Sequence, residues 1–301
     1  MKKKQLYIET KINCDFEQLW NYTQNPKLHQ QWDLRFSEIN YLKKKKETDP
    51  QLFSYVTKIG FGLEVNGLGE SVGTKTKTNG ESTAVLKFSS DNKISIIKDG
   101  SGYWKYIPEK DGIQFLTGYD YNTRWGLFGK VIDKVVFKPL MIWATAVSFD
   151  CLKKWLEDAI VPRQSLKNLL TVALSQFVLA IIWIYQGVVP KLLFQDSGEL
   201  AILKSTNLFQ GYEISIITTI GIVEILFGIL LLFKWSKGLH YINIIALLLL
   251  GTGALFSDIA IYTLPFNPFS LTIAMICISV LSILNIDSMP KSKNCITKRK
   301  I

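Results

Sequence analysis

Residues 214–233 read ISIITTIGIVEILFGILLLF, an apolar run with one ionisable side chain, Glu224, at its centre. A helical crossing of a bilayer core needs about 20 mostly apolar residues. Comparable runs at about 169–189, 239–257 and 268–286 predict three more crossings, so the second half of the chain reads as a four-helix membrane bundle. Nothing comparable is expected before residue 169, where charged and apolar residues alternate as in a water-soluble domain. The chain is therefore expected to join a soluble module to a membrane domain.

The 301 residues carry 35 Lys+Arg against 25 Asp+Glu, a net charge of +10. In the apolar half the charges sit between the runs. Arg163 and Lys167 precede the first, and Lys234 and Lys237 separate the second from the third. Lys291, Lys293, Lys298, Arg299 and Lys300 follow the fourth, whereas only Lys191 and Lys204 fall on the opposite side. Basic loops stay in the cytoplasm. Both termini are thus expected on the cytoplasmic side of a bacterial-type cell membrane, with residues 289–301 a basic tail. The soluble half mixes both signs, which argues against a nucleic-acid partner, and membrane lipids are the expected partner of the basic excess. Four scattered cysteines with no C-x-x-C spacing fit a reducing compartment. The N-terminal Lys2, Lys3 and Lys4 run into an alternating segment, not into the apolar core of a cleavable signal.

An ionisable residue at mid-membrane costs about 2.5–3.5 kcal/mol, so Glu224 is expected to face the bundle interior or to stay protonated. Gln176 and Gln186 are the foremost candidate partners, with Ser175 and Thr252 behind them. Two roles stay open for this polar group: an interhelical hydrogen bond that holds the bundle, or a proton- or quinone-linked function. Gly221 and Gly228 flank Glu224 at a spacing that suits close helix contact, and Gly251 and Gly253 read the same way.

Residues 1–160 read as strand, helix, several strands and a long helix. Residues 4–12 alternate with period two, and Asn13 or Asp15 can cap a helix over 16–25 that Pro26 ends. Further strands are expected at 36–44, 51–59, 63–79, 82–90, 94–107 and 112–121. Asn79-Gly80 and Asp111-Gly112 mark hairpins between them. A long helix over 125–159, kinked at Pro139, follows. Lys130, Lys134 and Lys138 recur every four residues along it, as a solvated face or as a docking stripe for an anionic leaflet.

Two resemblances follow from these residues. Trp183-Ile-Tyr-Gln-Gly-Val-Val-Pro-Lys-Leu-Leu193, the segment from Glu199, and Gly221-Ile-Val-Glu-Ile-Leu-Phe-Gly228 make residues 163–288 resemble the DoxX-like membrane family. That resemblance implies a four-helix bundle and little chemistry. Some relatives are tied to quinone or thiol redox reactions, but paired cysteines for the thiol version are missing. The strand and helix over Ile8–Trp20, then Trp32 and the helix ending Phe149–Trp155, make residues 1–160 resemble the START-like (SRPBCC, polyketide cyclase-like) superfamily. That implies an α+β helix-grip fold, in which an antiparallel sheet wraps a long C-terminal helix around an apolar cavity.

The expected cavity liners are Phe53, Tyr55, Phe61, Leu63, Tyr103, Trp104, Phe115, Trp143 and Phe149, each of which could equally serve as plain core. Tyr119 and Arg124 are candidates for polar groups at the mouth. With only His29 and His240 in the chain, a histidine triad or a multi-histidine metal site is not expected. No catalytic residue or cofactor is assigned. Gly67-Leu-Gly-Glu-Ser-Val-Gly73 has the glycines of a phosphate loop but no following helix, and reads as a bulged strand. The expected function is membrane-anchored binding of a hydrophobic small molecule or lipid. A proton- or quinone-linked oxidoreductase component using Glu224 and a membrane-tethered protein-interaction module are the alternatives.

Overall fold

The computed structural model describes residues 5–44, 46–196, 199–205, 209–257, 259–263, 265 and 267–299. Lys2–Lys4 and Lys300 therefore lie outside the described residues. The chain forms two compact units: Met1–Leu166 with Pro290–Ile301, and Lys167–Met289.

Seven antiparallel strands build the first unit: β1 (Leu6–Ile12), β2 (Glu38–Tyr41), β3 (Gln51–Gly60), β4 (Leu63–Thr76), β5 (Ser82–Ser89), β6 (Ile97–Glu109) and β7 (Gly112–Thr123). Their order in the sheet is β1-β7-β6-β5-β4-β3-β2. Six strands thus run as a meander of hairpins, and β1 returns to the far edge beside β7. Both hairpin signals are used. Gly112 has φ +117, and a Cβ there would lie 2.3 Å from the Ile12 carbonyl, so only glycine fits this turn. The glycine-rich stretch 67–73 is a strand with a register shift between Ser71 and Gly73.

Asp15 starts α1 (Phe16–Gln24), its carboxylate accepting from the Gln18 N–H. Pro26 ends that helix but opens another, α2 (Pro26–Trp32), because proline suits a first helical position and Asn25 accepts from the Lys27 N–H. His29 is therefore helical.

The long helix comes in three pieces: α3 (Gly126–Ile132), a π-helical turn (Asp133–Phe137) and α4 (Lys138–Asp158). Pro139 lacks an N–H and crowds the carbonyl four residues back, so the irregularity falls in the turn just before it. Residues Thr145–Leu152 are all buried, which makes the middle of α4 a core helix. By length and composition alone Gly126–Asp158 could cross a membrane. This corrects the expectation that no such stretch precedes residue 169; the enclosure of its middle by protein accounts for the apolar composition there.

Residues expected to form a tail pack into this unit. Ile296 exchanges two backbone hydrogen bonds with Glu9, of 2.9 and 2.8 Å, and so pairs with the outer edge of β1. The buried Asp150 carboxylate accepts from the Lys291 N–H (2.7 Å) and the Asn294 side chain (2.9 Å). Burial pushes the thiols of Cys151 and Cys295 up to about 12, which leaves both unreactive.

The second unit contains the rest of α5 (Pro162–Val188), a π-helical turn (Val189–Leu193), α6 (Glu199–Ser205), α7 (Glu213–Phe233), α8 (Lys237–Ser257) and α9 (Pro268–Asn285). Pro162–Leu193, Glu213–Phe233 and Pro268–Asn285 are long and apolar enough to cross a membrane, and Lys237–Gly253 is a shorter apolar helix. Small residues let α5 and α7 meet closely: a Cβ on Gly221 would lie 2.9 Å from the Gly187 carbonyl, and one on Gly228 equally close to that of Ala180. Gly251 faces Thr272, whereas nothing lies within 4 Å of a Cβ on Gly253.

Candidate functional site

Strand alternation decides which expected cavity residues meet. Trp104 and Phe115 face the inner side of the sheet, where Phe115 stacks on Phe149 of α4 at 4.6 Å and meets Trp104 edge-on at 5.9 Å. Trp32 joins the cluster 6.0 Å from Trp104. This end of the inner face is solid core. Phe53 and Tyr55 lie on the same face nearer the β2 edge, 6.5 Å apart, with Phe36 5.4 Å from Tyr55. Their rings lie over Gly69 and Gly67 across the strand pair, where a Cβ would come within 2.1 and 2.2 Å. The glycines leave room for rings laid flat on the sheet.

Four expected liners are placed elsewhere. Tyr103 neighbours Trp104 in one strand, so it must point to the outer face, where its ring covers Gly118. Phe61 is fully exposed at the tip of the β3–β4 hairpin, between Gly60 and Gly62 at positive φ, and Leu63 is half exposed beside it. Trp143 looks outward from α4. Two hollows, of about 650 and 430 Å³, open on the outer face; Leu52, Leu68 and Asp99 line the first, Tyr7, Tyr103 and Arg299 the second. Arg124 donates to the Ser90 carbonyl and ties down the β5–β6 loop, while the Tyr119 hydroxyl meets Thr145 at 3.0 Å in the core.

A polar cluster that the sequence patterns did not reveal stands on the inner side. The Asp33 carboxylate accepts from Arg35 Nε (2.9 Å) and Nη2 (2.6 Å), and contacts His29 Nε2 at 3.0 Å. The Arg35 guanidinium lies 5.5 Å from the ring centroids of both Phe36 and Tyr119. The His29 ring packs on Trp104 at 4.8 Å and Trp32 at 5.0 Å. Burial alone would raise the Asp33 carboxyl, but Arg35 and His29 outweigh it and hold it well below the usual carboxylate range. A forked ion pair is thus enclosed by aromatic rings. Its signal is Asp33-Leu-Arg35 set between Trp32 and Phe36, charges where a helix end meets apolar residues.

In the second unit Glu224 is buried, and its partner is Lys191. The Lys191 ammonium lies 2.9 Å from Glu224 Oε2, 2.7 Å from Glu199 Oε2 and 3.3 Å from the Gln186 carbonyl. The Lys191–Glu224 contact is an ion pair. Gln186 contributes its backbone, not its amide. Gln176 instead meets His240 Nε2 at 3.3 Å, and Thr252 donates to the Leu248 and Leu249 carbonyls of its own helix. Lys191 reaches inward from the π-helical turn that contains Pro190, and Gln195 braces that turn by donating to the Lys191 carbonyl and to Thr218. Two carboxylates share one ammonium, so the group carries either one net negative charge or one extra proton. A separate chain joins Trp183 to Asn243 (2.6 Å) and Asn243 to Ser279 (2.7 Å).

An antiparallel sheet gripping a long helix, followed by an apolar helical bundle, defines a membrane protein that carries an α+β module on a helical membrane domain. Residues 180–280 match the DoxX-like family. The chain belongs to the family of the Bacillus subtilis (strain 168) "Uncharacterized membrane protein YndG", with which it is 44% identical over 188 residues, 62% of this chain and 70% of that one. Among solved structures, a STAR-related lipid transfer protein from Xanthomonas axonopodis is similar over 49% of this chain and 82% of its own, at 14% identity and a TM-score of 0.39. The Zhui aromatase/cyclase from Streptomyces sp. R1128 is similar over 46% and 87%, at 10% identity and a TM-score of 0.34. The fold itself rests on the strand order and on the buried α4.

Proposed function

We propose that the first unit binds a hydrophobic small molecule or lipid on the inner face of its sheet, and that the bundle keeps this module at the membrane. The buried Asp33–Arg35 pair among aromatic rings is the observation that carries the reading. Apolar sites commonly hold a few converging polar groups that orient the ligand. The Phe115–Phe149 end is filled, so the ligand would lie towards Phe53 and Tyr55. Four crossings by α5, α7, α8 and α9 keep both termini in the cytoplasm. Leu166 and Pro290 belong to the same unit, which supports an even number of crossings between them, and the basic loops support the cytoplasmic side. Lipids extracted from the detergent-purified protein and identified by mass spectrometry test this. A saturable ligand lost in Arg35→Met is expected; consistently empty protein sinks the proposal.

A second reading rests on the Glu199–Lys191–Glu224 group, in which one proton more or less is held inside an apolar bundle: a proton-linked role, coupled to a quinone in its oxidoreductase form. Glu224→Gln would then abolish a proton-coupled phenotype in cells while the purified protein melts unchanged. Loss of melting temperature alone, with the phenotype intact, would leave Glu224 a purely structural group.

A further inference from the structure

The segment from α3 to the start of α4 is apolar on two sides. Its inner side puts Phe137, Met141 and Ile142 against the sheet core, and Asp133 accepts from the Tyr121 hydroxyl at 2.6 Å, which fixes the rotation of the helix. The outer side leaves Leu127, Phe128, Val131, Val135, Val136 and Leu140 more than half exposed, with Leu127 at 79%. A soluble protein seldom shows so continuous an apolar stripe without something to cover it. Lys130 and Lys134 stand exposed beside the stripe and half-buried Lys138 continues their row. Asp133 is turned inward, so every charge that this helix shows outward over 126–143 is positive. Only Ala159–Val161 separate α4 from α5, whose helix is long and apolar enough to cross a membrane.

We infer that this outer face docks on an anionic phospholipid leaflet, with Leu127, Phe128, Val131 and Val135 among the upper acyl chains and Lys130 and Lys134 on the headgroup phosphates. An apolar stripe edged by lysines is the pattern of helices that lie in the interface plane. The one-signed basic rim matches an anionic headgroup layer, and a second copy of the same face would bring like charges together. Docking holds whether or not the inner face carries a ligand.

The full chain, in a Cys277→Ser background, carries a nitroxide label at Val131→Cys, Val135→Cys or Lys134→Cys, with Lys75→Cys on β4 as the exposed control. It is reconstituted in nanodiscs of phosphatidylcholine alone or mixed with phosphatidylglycerol. Labels at 131 and 135 are expected to become accessible to oxygen and shielded from a water-soluble nickel chelate when phosphatidylglycerol is present, while the Lys75 label stays open to the chelate. Replacing Lys130 by Gln should weaken docking about fivefold. Chelate access at 131, 134 and 135 in both lipid mixtures would overturn the proposal. So would shielding that comes with dipolar broadening removed by dilution with unlabelled protein, which would give the face to a second copy. The Lys134 label keeps the test open if a valine replacement disturbs the fold.

Discussion

Lys191 is the residue on which the bundle's charge balance turns. Removing one member of a buried ion pair leaves the other charged and unsolvated, which costs about 3–5 kcal/mol, whereas replacing both by apolar residues is often neutral. Lys191→Met should therefore lower the thermal midpoint in detergent sharply, and Lys191→Met with Glu224→Leu should recover most of it. An unchanged midpoint in the single variant would mean that the contact carries no energy. Asp33 is the corresponding residue of the first unit. Its folded carboxyl lies below the unfolded value, so the stability it adds is complete above about pH 4 and drains away as pH falls towards the folded value. Asp33→Asn should flatten the acid limb of stability against pH, measured by urea titration at several pH values.

Element by element, periodicity carries far and side-chain meeting points do not. The apolar runs, the two glycine hairpins and the capping Asp15 can all be read from local patterns, because each depends on neighbours within a few residues. Lys191 cannot: it lies just past an apolar window, where a lysine normally reaches for water, and only the π-helical turn around Pro190 sends it inward. Asp33 and Arg35 form a pair that takes its meaning from Tyr119, far away in sequence. Tyr103 and Trp104 show the reverse case. Alternation along a strand forbids adjacent residues from facing one cavity, so their separation follows from the amino-acid order alone. Gly69→Ala tests the ring-over-glycine arrangement. The added methyl would overlap the Phe53 ring and should cost about 1–3 kcal/mol, with part of the loss recovered by Phe53→Leu, read from melting curves of the double and single variants.

For the whole molecule, the return of residues 290–296 to the first unit matters most. Deleting the chain beyond Met289 would leave the Asp150 carboxylate without the Lys291 and Asn294 donors and reopen the edge of β1. A buried acceptor left unsatisfied costs about 1–3 kcal/mol, and more when it is charged. The expected outcome is a lower melting midpoint together with faster proteolysis within β1; a truncated protein as resistant as the parent would show that the contact is incidental.

The same clasp also sets an order of events in biosynthesis. Glu9 leaves the ribosome before Ile296, by tens of seconds at about 5–20 residues per second. Throughout that interval β1 has an open edge, the kind of surface that invites pairing with other chains. The first unit is completed only after the helices between Leu166 and Pro290 have been made, so a failed insertion would leave a visible flaw for quality-control proteases to find.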